Sequence, residues 1–203
     1  MKTIVSVFML LFCGICAQAQ STTVIVSYET TDASQFGYSP WDKGLRVSFS
    51  RQIKERWEGT IAGGVSDAKK AYVGDGTHFD AAVNIKFYFS ESFFGLIGLT
   101  GGGDVNSQYK KTAVRGVIGI GAKLYDFIGT LTLFSPPTDL AIDPNQVRGF
   151  NLTIEYFKPL FGPVGAYSSF QTSLASFNQT GGPLSERFTG AIWKARAGLY
   201  FSF

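Results

Sequence analysis

Past residue 16 the sequence has no cysteine, and the two it has, Cys13 and Cys16, lie in an apolar leader. Disulfides, thiol nucleophiles and cysteine metal centres are thereby excluded from the rest of the chain. Histidine is nearly as scarce, with His78 alone. An excess of one charge sign is also missing: 18 Lys and Arg stand against 15 Asp and Glu, for a net charge of +3, and the signs are interspersed. Nucleic acid is therefore not expected as a partner. Nor does any stretch approach the ~18 consecutive apolar residues that a spanning helix needs, which excludes a helical membrane protein.

The leader itself has three parts. Lys2 supplies a positive start, residues 4–15 an apolar run, and Ala17-Gln18-Ala19 a small-x-small cleavage site. Residues 1–19 are expected to form a cleaved signal peptide, with one domain over 20–203. Lipid anchoring is not expected, because Phe12 and Ile15 stand where a lipoprotein signal needs a small residue before its cysteine.

What the sequence does have is aromatic residues, at 15%, together with 24 glycines. Crowded strand faces and tight bends use both. Ten segments carry strand character, at 22–29, 45–50, 56–65, 78–89, 93–100, 113–124, 127–134, 149–156, 164–173 and 187–203. In the fourth, Phe79, Ala81, Val83, Ile85, Phe87 and Phe89 alternate with His78, Asp80, Asn84 and Lys86, the period of two that marks a strand. The fifth is apolar on both faces, and pattern alone cannot orient it.

The connections alternate in length. Those at 30–43, 66–77, 101–112, 135–148 and 174–186 are long, whereas those at 52–55, 90–92, 125–126 and 157–163 are short. With both termini on one side, every long connection falls on the other. Short turns on one side and longer loops on the other, with an even strand count, are how transmembrane β-barrels are built. A soluble sandwich has no reason to segregate its loops in this way. Aromatic residues also gather toward strand ends: Trp57, Phe89, Phe93, Phe127, Tyr156 and Phe203 on the turn side, and Tyr28, Phe79, Phe150, Phe188 and Trp193 on the loop side. Amphipathic rings collect at both membrane interfaces.

The last segment separates its rows most clearly. Trp193, Ala195, Ala197, Leu199, Phe201 and Phe203 share one face, while Lys194, Arg196, Gly198, Tyr200 and Ser202 share the other. Its closing octet begins at Arg196, has Gly198 third, and places aromatics at Phe201 and Phe203. This resembles the C-terminal assembly signal of bacterial outer-membrane β-barrels. The resemblance implies a single antiparallel, transmembrane, up-and-down β-barrel in the outer membrane, with periplasmic termini. It also implies membrane lipid and the barrel-assembly machinery as partners. Ten strands are expected; eight is the alternative, if the first segment is an unpaired leader and one further apolar segment is not a strand.

If the polar rows point inward, the lumen receives Arg46, Glu58, Asp80, Lys86, Arg115, Lys123, Glu155, Lys194 and Arg196. Charges buried in a narrow barrel need partners. The three carboxylates would pair with some of the six cations and leave a positive excess. Two readings follow: a salt-bridged plug that holds the barrel together, or a narrow, weakly anion-preferring pore.

His78, near Asp75 and Asp80, is the one candidate general base. Ten-stranded outer-membrane proteases use rim Asp and His residues, but they carry an Asp-x-His pair that this sequence lacks. The protein is expected to be non-enzymatic. Gly101-Gly102-Gly103 and the glycines of 116–121 have no following helix and make no phosphate cradle. Asp67, Asp75 and Asp80 lack the spacing of a calcium loop, and no cofactor is expected. A surface ligand remains an alternative role for the loops at 30–43 and 135–148, which carry Tyr38, Trp41 and several prolines.

Overall fold

Ten strands follow one another in the computed structural model, which describes residues 21–32, 42–70, 74–105, 110–134, 148–179 and 186–203. They are β1 (Thr22–Asp32), β2 (Asp42–Lys54), β3 (Trp57–Lys70), β4 (Gly74–Tyr88), β5 (Phe93–Val105), β6 (Lys110–Leu124), β7 (Phe127–Phe134), β8 (Arg148–Phe161), β9 (Val164–Gln179) and β10 (Glu186–Ser202). The expected leader at 1–19 and the loop residues 33–41 and 135–147, Tyr38 and Trp41 included, lie outside the described residues.

Each strand pairs antiparallel with the next, and β10 closes on β1 from Thr23↔Ser202 to Asp32↔Trp193. The fold is a closed, ten-stranded, up-and-down barrel, in which every strand has a partner on both sides. β1 belongs to the wall, because it pairs with β2 as well as β10. The eight-strand alternative required it to be an unpaired leader and does not hold. The tight turns lie at the same end as the two termini, where Thr22 and Phe203 exchange backbone hydrogen bonds of 3.0 and 2.9 Å.

Closure turns the period of two into an inside and an outside. The outward row is apolar and open: Ile61, Ile118 and Leu133 are 60, 61 and 58% exposed. Val47, Val83, Ile97, Leu131, Ile154 and Leu199 are exposed in the same belt. The inward row is buried, whether polar, as at Ser27, Glu29, Ser169 and Ser173, or aromatic, as at Phe94 and Tyr167. A one-residue slip of an alternating strand would exchange the two rows, so outside β5, which is apolar on both, the pattern itself specifies the register.

Most strands run further toward the loop end than their apolar alternation marks. β3 continues to Lys70 and β4 starts at Gly74, paired through Ser66↔His78 to Lys70↔Gly74, where a long connection was expected. β1 includes residues 30–32, β2 includes 42–44, β5 reaches Val105 and β9 reaches Gln179. The backbone ladder needs no apolar side chains. Once both faces are polar, the sequence signal ends while the hydrogen bonding continues.

The turn end brings one further correction. A turn over 157–163 was expected, but β8 runs to Phe161 and only Gly162 and Pro163 turn, with Gly162 at φ 51°. Pro159 is accommodated because β7 has already ended: its first residue, Phe127, pairs with Tyr156, and Asp126 O takes the Phe157 N–H at 2.8 Å. The missing N–H of Pro159 therefore interrupts no ladder on that side.

Candidate functional site

The chemistry of the described residues is concentrated on the inward row, in two levels. At the turn end stand aromatic rings. Tyr88 and Phe94 pack at 5.4 Å on one stretch of wall, while Phe157 contacts Tyr167 at 5.2 Å and Tyr200 at 5.5 Å on another. Ile25 is buried with them on the inward row. Glycine makes the room: a Cβ on Gly121 would lie 2.1 Å from Phe94 Cζ, and one on Gly165 would lie 2.1 Å from Tyr200 Cε1.

Above the rings lie the ions. Glu58 accepts from Lys86 Nζ and from the Tyr88 hydroxyl, both at 2.8 Å, and Lys86 Nζ stands 5.3 Å from the centre of the Phe94 ring. Glu58 and Lys86 are direct partners in the β3–β4 register, so strand pairing alone brings them together. Glu155 accepts from the Tyr167 hydroxyl at 2.9 Å. The two tyrosines thus join the aromatic level to the ionic one, each with its ring in the floor and its hydroxyl on a carboxylate.

Arg46 and Asp80 form an ion pair although they stand on β2 and β4, with β3 between them. The residue between is Gly64, paired with Arg46 on one side and Asp80 on the other. Any side chain there would block the bridge, because a Cβ on Gly64 would lie 2.8 Å from Asp80 Oδ1.

The β1–β10 seam carries its own cluster. Glu29 accepts from Arg196 Nε and, at 3.3 Å, from Lys194 Nζ; Arg196 also donates to Gln171 Oε1 at 3.3 Å. Arg115, half-buried, lays its guanidinium 5.2 Å from the centre of the Phe134 ring, a cation–π contact rather than an ion pair. Lys123 is exposed near the turn end. In the terminal octet, Arg196 belongs to the seam cluster and Gly198 lets the strands approach, since a Cβ there would lie 2.0 Å from Val26 O. Phe201 is half-buried and Phe203 exposed.

Sequence reasoning missed Glu29, Phe94 and Tyr88, whereas the alternation of the last two segments places Tyr167 and Tyr200 on the polar, inward row. For Glu29 a signal existed: with Val24, Val26 and Tyr28 on one face, residues 27 and 29 fall on the other. Phe94 had none, because its segment is apolar on both faces; the structure turns Phe94 inward at 1% exposure and its neighbour Phe93 outward at 60%.

No family model and no curated protein matches this sequence. Solved structures do resemble the barrel. The outer membrane protease OmpT of Escherichia coli aligns with 92% of this chain and 98% of its own, at a TM-score of 0.50 and 8% identity. Ail, the attachment invasion locus protein of Yersinia pestis, aligns over 92% of this chain and 100% of its own, at a TM-score of 0.44 and 9% identity. The fold is that of the bacterial outer-membrane β-barrels. At such identities the likeness concerns the fold alone.

The loop end holds the one histidine. His78 shares the inward row of β4 with Asp80, but Asp80 is engaged by Arg46. Among the described residues, no three His, Cys, Asp or Glu side chains converge as a metal site.

Proposed function

We propose that this protein is a non-enzymatic outer-membrane barrel whose interior is closed, so that it serves the membrane structurally rather than as a pore. In this reading the leader at 1–19 directs export, residues 20–203 form the barrel, and the octet from Arg196 to Phe203 addresses it to the assembly machinery. The apolar belt supports the membrane environment, because so many exposed large apolar side chains around a whole molecule would be unfavourable in water. The observation that carries the closed reading is burial on the inward row. Ser27, Glu29, Phe94, Thr130, Tyr167, Ser169 and Ser173 are all buried, with at most 9% of their surface exposed, whereas side chains lining a wide water-filled channel are open to it. Glu29 joins Glu58, Asp80 and Glu155 against the cations and narrows the positive excess that a weakly anion-preferring pore would use.

Two measurements test this. Refolded protein should migrate differently with and without boiling, as intact membrane barrels do, and it should show no discrete openings in planar bilayers. Discrete openings would overturn the closed reading. An unchanged mobility together with solubility without detergent would overturn the membrane reading.

A second reading gives the loops a surface ligand at 30–43 and 135–148. What favours it is that β1 and β2, which flank the first of these loops, stay paired past their apolar alternation, through Thr30↔Lys43 and Thr31↔Asp42, and so carry that loop beyond the belt. We assign no catalytic role to His78, because Asp80, one of its two candidate orienting carboxylates, is held by Arg46.

A further inference from the structure

The outward face carries one feature that neither the belt nor the interior explains. Where β2 turns into β3, an open groove of about 620 Å³ is lined by Ile53, Lys54, Glu55, Arg56, Trp57 and Phe87. A β-bulge builds it. The register jumps from Gln52↔Glu58 to Lys54↔Trp57, which leaves Ile53 as the extra residue. Ile53 then lies across the bare backbone of Gly59, where a Cβ would come 3.1 Å from its Cδ1. Trp57 and Phe87, at 4.8 Å, supply a ring pair beside it, and Phe87 packs against Phe89 at 5.4 Å.

The polar edge is cationic. Lys54 and Arg56 are both exposed, and neither has an ion-pair partner among the described residues. The inward cations, by contrast, are paired or stacked on a ring, as with Arg46, Lys86, Lys194, Arg196 and Arg115. The turn is nonetheless held in shape, with Gln52 Nε2 donating to Glu55 O at 3.0 Å and Tyr88 N to Arg56 O at 2.9 Å. A fixed apolar surface thus meets two exposed cations at the edge of the belt, the level at which acyl chains give way to headgroups.

We propose that this groove is a binding site for one anionic glycerophospholipid, with its phosphate at Lys54 and Arg56 and an acyl chain along Ile53, Trp57 and Phe87. The inference rests on the membrane reading. Charge complementarity selects the occupant: each basic residue near a surface favours an anionic lipid by roughly fivefold, and Glu55, exposed between the two cations, offsets part of that preference without reversing it, because two cations outweigh one carboxylate. The aromatic pair and Ile53 give the chain a place to lie, which free phosphate would not use.

Trp57 reports on the site. In a Trp41→Phe, Trp193→Phe background it is the only tryptophan left. This variant, refolded into phosphatidylcholine vesicles, is exposed to a few mole per cent of brominated phosphatidylglycerol or, separately, brominated phosphatidylcholine. The expected result is several-fold stronger quenching by the anionic lipid. Lys54→Gln with Arg56→Gln should abolish that preference, and Lys43→Gln at the opposite end should leave it. Equal quenching by the two lipids, or a preference that survives the double substitution, would overturn the inference while leaving the membrane reading intact. Each variant is first checked for the boiling-dependent mobility shift; its absence in the parent protein would overturn both.

Discussion

Glu29 of β1 and Arg196 of β10 face each other in register across the seam that closes the barrel, and their side chains are joined directly. Lys194 adds a second cation to the same carboxylate. The first and last strands meet only when the whole chain has been threaded into the wall, so this contact forms across nearly the full length of the sequence. The terminal strand therefore carries, besides its address, the two cations that clasp the closing pair.

Glu29→Ala should be destabilising, because it leaves two half-buried cations, Lys194 and Arg196, without the carboxylate that joins them. Removing one partner of a buried pair costs about 3–5 kcal/mol. The shift in the urea midpoint of the folded, fast-migrating band measures it. Glu29→Gln should recover part of the loss, since the amide oxygen still accepts one hydrogen bond. Equal stability of Glu29→Ala and the parent protein would mean that the seam is held by its backbone ladder alone.

Arg46 and Asp80 offer a cleaner separation of pairing from burial. Arg46→Met and Asp80→Leu should each destabilise, whereas the double substitution should recover much of the loss, with a coupling energy in the range of about 0.5–3 kcal/mol for contacting groups. Gly64→Ala should mimic the single substitutions without touching either charge, because its methyl would occupy the path of the bridge. Additive single and double substitutions, measured in the same urea titration, would show that the pair contributes nothing by pairing.

Two neighbouring glycines give an internally controlled test of packing. Gly121→Ala places a methyl against the Phe94 ring and should cost about 1–3 kcal/mol. Gly129→Ala, on the adjoining strand, meets nothing within 4 Å and should be close to neutral. Thermal retention of the fast-migrating band compares them. Phe94→Leu in the Gly121→Ala background should restore part of the stability if the clash is with the ring.

The strands were legible because lipid-facing and lumen-facing residues alternate: in β4 the row from Phe79 to Phe87 marks both the element and its outer face. What was not legible has identifiable causes. β5 is apolar on both rows, so nothing in 93–100 distinguishes the buried Phe94 from the exposed Phe93. Residues 66–70 and 74–77 are polar or small on both rows, so their pairing left no trace in the pattern. The charged residues were recognisable, but their partners were not: Arg46 reaches past β3 to Asp80 only because Gly64 is bare. Glu29 was passed over although it closes the first expected segment, at 22–29, and the alternation of β1 places it on the inward row.

The aromatic floor can be opened by subtraction, which turns the closed reading into a graded prediction. Phe94 and Tyr167 are buried inward rings on different stretches of wall, and each supports an ion above it, through Lys86 in one case and Glu155 in the other. Phe94→Ala should cost about 3–5 kcal/mol, the range for emptying a large aromatic site, and leave a gap at the turn end. Tyr167→Phe should keep the floor filled while stripping Glu155 of its hydroxyl donor. If the rings are what closes the barrel, Phe94→Ala combined with Tyr167→Ala should give discrete openings in planar bilayers, and Tyr167→Phe should stay silent like the parent. If the ionic level closes it instead, the double alanine variant should stay silent too, and openings should follow only when Glu58 or Glu29 is also replaced. Both variants must first show the boiling-dependent mobility shift, so that silence is read from a folded barrel.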